Sequence, residues 1–143
     1  MSVTDGIELN GKHSYRDFGL CIESSVISPP TRKKVTQTEP FMDGYYDFSD
    51  IGGKIFYESR TIKYSFEIIE DNIQNLEKEK NKICSWLETA SQSEIYDDAD
   101  PDHHFIGSTD SIDWQPDGEN YGLITVTFLC QPFRIKEDGT EEI

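Results

Sequence analysis

The chain is 143 residues long, with a formal net charge of −15, 35% apolar residues and 12% aromatic residues. That length suits one domain whose core needs no disulfides, and the aromatic content argues against disorder. The charge excludes a generic nucleic-acid surface and docking on an anionic membrane, since both need Lys and Arg to meet phosphate.

Taken in order, Gly6–Leu9 is a short strand closed by Asn10-Gly11, a hairpin turn signal. Phe18–Glu23 is a strand with Leu20 and Ile22 on one side, broken by Ser28-Pro29-Pro30. Thr31–Glu39 is extended but polar on both faces. A strand with so little to bury is either a flexible arm or an edge that pairs with another chain. Arg32, Lys33 and Lys34 are its basic cluster, read either as a solvated charge run or as a contact with acidic residues of a neighbour. Asp43-Gly44 turns the chain, Tyr45–Phe48 resumes strand character, and Asp50–Gly53 forms a further loop.

Residues 57–96 form the centre of the pattern. From Arg60 to Ile69 the sequence alternates, with Ile62, Tyr64, Phe66 and Ile68 on one face and Thr61, Lys63, Ser65 and Glu67 on the other. The period then changes to that of a helix over about 72–90. Asp71 is its expected cap and Gln74 completes a capping box, while Ile73, Leu76, Ile83, Trp86 and Leu87 form the apolar stripe. Glu94–Tyr96, His104–Ser108 and Ile112–Trp114 are short strand candidates, and Asp97–Asp102 is an acidic turn. Leu123–Gln131 alternates again, with Ile124, Val126 and Phe128 sharing a face. Residues 136–143 read as a loose acidic tail behind a single domain over 1–135. One helix among strands predicts a mainly β fold with the helix laid on a sheet.

Little in the chain suggests chemistry. Cys21, Cys84 and Cys130 are far apart without metal spacing and read as small buried residues folded in a reducing compartment. The first ten residues lack a signal-peptide pattern, and no apolar run reaches membrane-span length. The run from Asp97 to His104 imitates the start of a calcium loop. It lacks a Gly at the sixth position and a Glu at the twelfth, and adjacent His103 and His104 point to opposite sides of a strand. A hydrolase using Asp98 and His104 is a distant reading, and His13 has no assignable nucleophile. Tyr45, Tyr46, Trp86 and Trp114 offer platforms for an alternative reading as a carbohydrate-binding β-sandwich module of a phage or cell-wall-associated protein. No catalytic, cofactor or metal site is assigned, and an enzyme is not expected.

Several pieces in series carry a family resemblance. They are Phe18-Gly19-Leu20, Ser28-Pro29-Pro30, Pro40-Phe41-Met42-Asp43-Gly44, Tyr46-Asp47 and Tyr57-Glu58-Ser59-Arg60-Thr61-Ile62. Trp86-Leu87, the Asp97–Asp102 turn followed by Phe105 and Gly107, and Phe128 leading to Pro132-Phe133 complete the series. In this order they resemble the N-terminal domain of the distal tail protein (Dit) of long-tailed phages of Gram-positive bacteria and related prophage tail components. The resemblance covers about residues 10–135. The family's proline–glycine is Pro40-Phe41 here, and its aromatic pair after the acidic turn is His103-His104. The chain stops where many relatives continue into a galectin-like C-terminal domain, so it reads as a short form or a piece of a longer chain.

The resemblance implies a β-sandwich or barrel-like, tail-tube-like fold with one helix and an extended hairpin, the belt, that reaches a neighbouring subunit. Arg32, Lys33, Lys34, Val35, Thr36, Gln37 and Thr38 fall in that belt and become its expected interface residues. It further implies six copies in a ring at the distal tail tip, joining the tail tube to the baseplate hub and carrying adhesion proteins. DNA would pass transiently through the lumen, and the protein would be a virion component assembled in the host cytoplasm.

Overall fold

A computed structural model describes residues 5–33, 36–37, 46–47 and 55–143. The main sheet holds nine strands, all paired antiparallel. In chain order its first strands are β1 (Ile7–Leu9), β2 (Lys12–His13) and β3 (Cys21–Ile27). Next come β4 (Thr36–Gln37) and β5 (Tyr46–Asp47), a separate two-stranded pair, and then β6 (Arg60–Ile69). A single helix among the described residues, α1 (Ile73–Leu87), leads to β7 (Ser93–Asp97), β8 (Asp100–Asp117) and β9 (Tyr121–Cys130). The main path runs β2-β1-β7-β8-β9-β6-β3.

The alternation read in β6 and β9 is realised. Ile62, Tyr64, Phe66, Ile124, Val126 and Phe128 are fully buried, and their register sets Phe66 opposite Ile124 and Ile62 opposite Phe128. Leu76, Ile83, Trp86 and Leu87 of α1 close the core from above. Burying each such large apolar side chain contributes about 1.5–3 kcal/mol, which is why the two-residue and 3.6-residue periods dominate the outcome. Asn10 and Gly11 both take positive φ, 52° and 83°, as a two-residue hairpin of matching twist demands.

Four expectations change. The helix is shorter than 72–90, and Asn72 rather than Asp71 caps it, its Oδ1 accepting the Asn75 N–H at 2.9 Å. Ile73, placed on the apolar stripe, is 51% exposed at the first position of the helix, and the buried stripe starts at Leu76. The fragments His104–Ser108 and Ile112–Trp114 are one strand, β8, interrupted by a bulge at Asp110. Residues 136–143 are not loose: β10 (Arg134–Lys136) and β11 (Glu141–Glu142) form a hairpin that pairs with His103 and His104 of β8.

β8 joins the two parts of the sheet. Its first half pairs with β7 and its second half with β9, and Gly107 faces both Ser93 and Cys130 at the changeover. A Cβ at Gly107 would stand 2.4 Å from Cys130 Sγ and 2.8 Å from Leu129 O, so the strands meet there only because glycine lacks one.

Candidate functional site

Between β3 and β6 the chain leaves the main sheet and returns as two antiparallel arms. Glu58 N–H donates to Thr31 O at 2.7 Å, Lys33 N–H donates to Phe56 O at 2.8 Å, and Arg32 bridges Tyr57. Further out, Thr36 pairs with Asp47 and Gln37 with Tyr46. Of the expected interface residues, Arg32 and Lys33 lie exposed on the outgoing arm, and Thr36 and Gln37 lie in β4. Lys34, Val35 and Thr38, the Asp43-Gly44 turn and the Asp50–Gly53 loop lie outside the described residues.

A buried cation holds the root of this hairpin. Arg60, 6% exposed, donates from Nε to Ser28 O at 3.0 Å and from Nη1 to Pro132 O at 3.2 Å. Its guanidinium also lies 5.2 Å from the Phe105 ring centroid. Burial, reinforced by nearby Arg134, lowers its pKa from the ordinary arginine value. Ser28 N–H donates to Thr61 O at 3.2 Å, so departing and returning arms are tied together at the sheet. Two carbonyls satisfy donors whose burial would otherwise be costly.

The hairpin departs beside an open edge. β3 pairs with β6 alone, and β8 from Ser111 to Asp117 pairs with β9 alone, so among the described residues the block β3–β6–β9–β8 is unpaired on both sides. The block's face opposite the core is rich in hydroxyls. One row across the strands runs Ser24, Ser65, Thr125 and Asp113; the next runs Val26, Lys63, Thr127 and Ser111. Ser65 Oγ and Thr125 Oγ1 bond across the strands at 3.0 Å.

The acidic turn is occupied by structural tasks. Asp97, buried, accepts the Tyr64 hydroxyl at 2.7 Å and the Ala99 N–H at 2.9 Å. Asp98 Oδ2 accepts Gly6 N–H at 3.0 Å and lies 2.7 Å from His13 Nε2. His13 Nδ1 accepts the Tyr15 and Arg16 N–H groups, so Nε2 carries the proton and no free nitrogen remains to act as a general base. Asp100 takes His103 at 2.9 Å and Arg134 at 2.8 Å. Burial acts to raise its carboxyl, but the His103 and Arg134 contacts outweigh it and hold the group below the usual range. His103 also meets Glu142 at 3.2 Å, whereas His104 packs on Tyr96, ring centroids 5.1 Å apart. The two imidazoles serve different partners, and no three His, Cys, Asp or Glu among the described residues converge on a cation position. Of the four aromatic platforms of the carbohydrate reading, Trp86 is 6% exposed and donates Nε1–H to Leu9 O at 3.0 Å, and Trp114 packs over Gly122; Tyr45 and the Tyr46 side chain lie outside the described residues.

The carboxylates of the turn are thus held by neighbouring groups, while among the described residues the sheet leaves two strand edges unpaired beside the outgoing hairpin. The family model described as "Phage tail protein RIFT-related domain" matches residues 13–130. The chain belongs to this family. The phage tail domain also shares its fold with the crystal structure of the SPP1 Dit (gp 19.1) protein, titled a paradigm of the hub adsorption apparatus in phages infecting Gram-positive bacteria. The TM-score is 0.75 at 14% identity, covering 92% of this chain and 52% of that one, so this chain spans about half of that protein's length. No curated protein matches the chain. The expected phage tail family is thus shown by the family model, and the expected Dit-like, mainly β fold with one helix by the structural match.

Sequence reading of this phage tail domain missed three features. The Arg60 clamp carries no local pattern, because its partners lie 32 and 72 residues away. The open edges depend on strand order, which periodicity leaves undetermined. The hydroxyl face was visible as the polar half of the alternation, in Thr61, Ser65, Thr125 and Thr127, but its continuity requires the register.

Proposed function

We propose that this domain is a structural component of the distal tail of a long-tailed phage, closing with five further copies into a ring. The observation that carries this reading is the pair of open edges, β3 on one side and the Ser111–Asp117 half of β8 on the other. An unpaired strand edge is a template for another chain. Two different edges on one block favour a head-to-tail contact, and such contacts close into rings when the rotation closes. The hairpin clamped by Arg60 is the belt, and Arg32, Lys33, Lys34, Val35, Thr36, Gln37 and Thr38 lie on the arm that meets the neighbour.

In this ring the hydroxyl face lines the lumen. Six copies at −15 each carry −90, with few cations to replace the counterions of DNA, so DNA slides through without stable binding. The ring joins the tail tube to the baseplate hub and carries adhesion proteins, as a virion component assembled in the host cytoplasm. Satisfied carboxylates and the capped nitrogen of His13 support a scaffold rather than an enzyme.

Light scattering over a concentration series, followed by negative-stain imaging, tests the proposal. The expected result is a particle of about six chain masses with a central hole. Removal of the residues between Lys33 and Ile55 is expected to leave a folded monomer. A strict monomer, both alone and with the tail tube protein added, overturns the ring.

A further inference from the structure

α1 and the β1–β2 hairpin enclose a groove of about 320 Å³, walled by Lys12, Phe18, Lys82 and Trp86 with Asn10 and Thr89 at one end. In a chain with 28 acidic and 13 basic residues, no described carboxylate lines it. Lys12 Nζ and Lys82 Nζ lie 5.7 and 5.8 Å from the centroid of the same Phe18 ring. Neither forms an ion pair among the described residues, whereas Arg16, Lys80, Arg134 and Lys136 all do. The aromatic wall is fixed: Phe18 lies 4.6 Å from the Trp86 ring, and Trp86 is tethered to Leu9 O.

Both ammonium groups lie near the same ring and neither has a carboxylate at ion-pair distance among the described residues, a lack that the ring's quadrupole offsets only weakly. A carboxylate entering the groove would meet both cations, and the aromatic wall beside it suits an apolar side chain. We propose that this groove docks an acidic segment of a different protein, one carboxylate bridging Lys12 and Lys82 and a neighbouring apolar side chain resting on Phe18. The groove lies at the β2 end of the sheet, on its helix-covered side, whereas β3 and the hairpin root stand at the opposite end. A second copy joined through its sheet edges leaves it open, so the occupant is another chain. The choice of a different chain over a second copy rests on the ring proposed above, joined through β3 and β8, whereas the binding of an acidic segment does not.

Trp86 supplies the readout. In a W114F background it is the sole tryptophan, and its emission can be followed against a synthetic peptide of alternating glutamate and leucine. The expected result is saturable binding that shifts Trp86 emission and weakens as salt rises to about 0.5 M. K12E/K82E and the milder K12Q/K82Q, both checked for native circular dichroism, are expected to weaken binding by about tenfold or more. K78E, elsewhere on α1, is expected to bind as the parent does. The proposal is overturned if no saturation is seen, if both double variants bind like the parent, or if K78E loses as much. It is equally overturned if a lysine–leucine peptide binds as well. Self-association that disappears in K12Q/K82Q without any peptide binding overturns it in favour of a second copy.

Discussion

The Tyr64 hydroxyl donates to Asp97 Oδ2 at 2.7 Å, joining the central strand β6 to the end of β7, with both residues buried. This bond satisfies a carboxylate that has, among the described residues, one other hydrogen-bond donor, the Ala99 N–H. Y64F keeps the ring and removes the donor. Stability is expected to fall by about 1–3 kcal/mol, because the buried oxygen loses its partner. Urea unfolding should show a lower midpoint with an unchanged slope. A midpoint equal to the parent's would mean that the carboxylate finds a substitute partner.

The same pair predicts an alkaline dependence. Burial, and then the charge of Asp97, push the Tyr64 phenol well above its ordinary value of 10.0. A folded pKa above the unfolded one contributes stability that is complete below about pH 10 and lost as pH rises beyond it. Unfolding measured between about pH 9 and pH 11 should therefore show declining stability in the parent and a shallower decline in Y64F. Equal slopes would assign the decline to other groups.

At the acid end the sign reverses. Asp100 is held below 3.8 by His103 and Arg134 against the opposing effect of its burial. Glu142 is held below 4.5, chiefly by its hydrogen bond from Lys136 and, more weakly, by His103. Depressed carboxylates contribute stability above their unfolded values and lose it as pH falls through the folded ones. The β10–β11 hairpin should therefore release first as pH falls below about 4, seen as early amide exchange at Ile135. D100N should exchange faster already at neutral pH, with a flatter acid dependence. An acid profile identical to the parent's would exclude Asp100 as the latch.

How far the sequence reached is visible at α1. The 3.6-residue stripe identified the helix and its buried residues Leu76, Ile83, Trp86 and Leu87, because burial energy is repeated at every turn. Its start was displaced by one residue, since Asp71 and Asn72 are both good caps and only the entering backbone chooses between them. The same limit applies elsewhere. Periodicity exposed the faces of β6 and β9, but the bulges at Glu23 and Asp110, the hairpin of β10 and β11, and the Arg60 clamp depend on register and distant partners. The polar arm around Arg32 and Lys33 was legible because it has nothing to bury, which says that it leaves the core and not where it goes.

The cap choice is itself testable. N72A removes the oxygen that accepts the Asn75 N–H and is expected to cost about 1 kcal/mol. D71A is expected to change stability by less than about 0.5 kcal/mol, since the Asp71 carbonyl that receives Asn120 Nδ2–H survives the substitution. Thermal unfolding of the two variants side by side decides. A larger loss from D71A would place the cap back at Asp71.

Arg60 offers the sharpest separation of fold from assembly. R60M retains length and apolar bulk against Phe105 but leaves the carbonyls of Ser28 and Pro132 without their donor. R60K retains charge, yet a single ammonium does not reproduce the planar fork that reaches both carbonyls. Each variant is expected to lose about 1–3 kcal/mol, with R60M at the upper end. The Ser28 N–H bond to Thr61 O remains in both, so the hairpin should loosen at its root while the core stays intact. Limited proteolysis should then cut between Pro29 and Ser59 faster than in the parent, with near-unchanged circular dichroism. If instead cleavage there keeps its rate while global stability falls, Arg60 serves the core alone and the hairpin's direction is set by the chain itself.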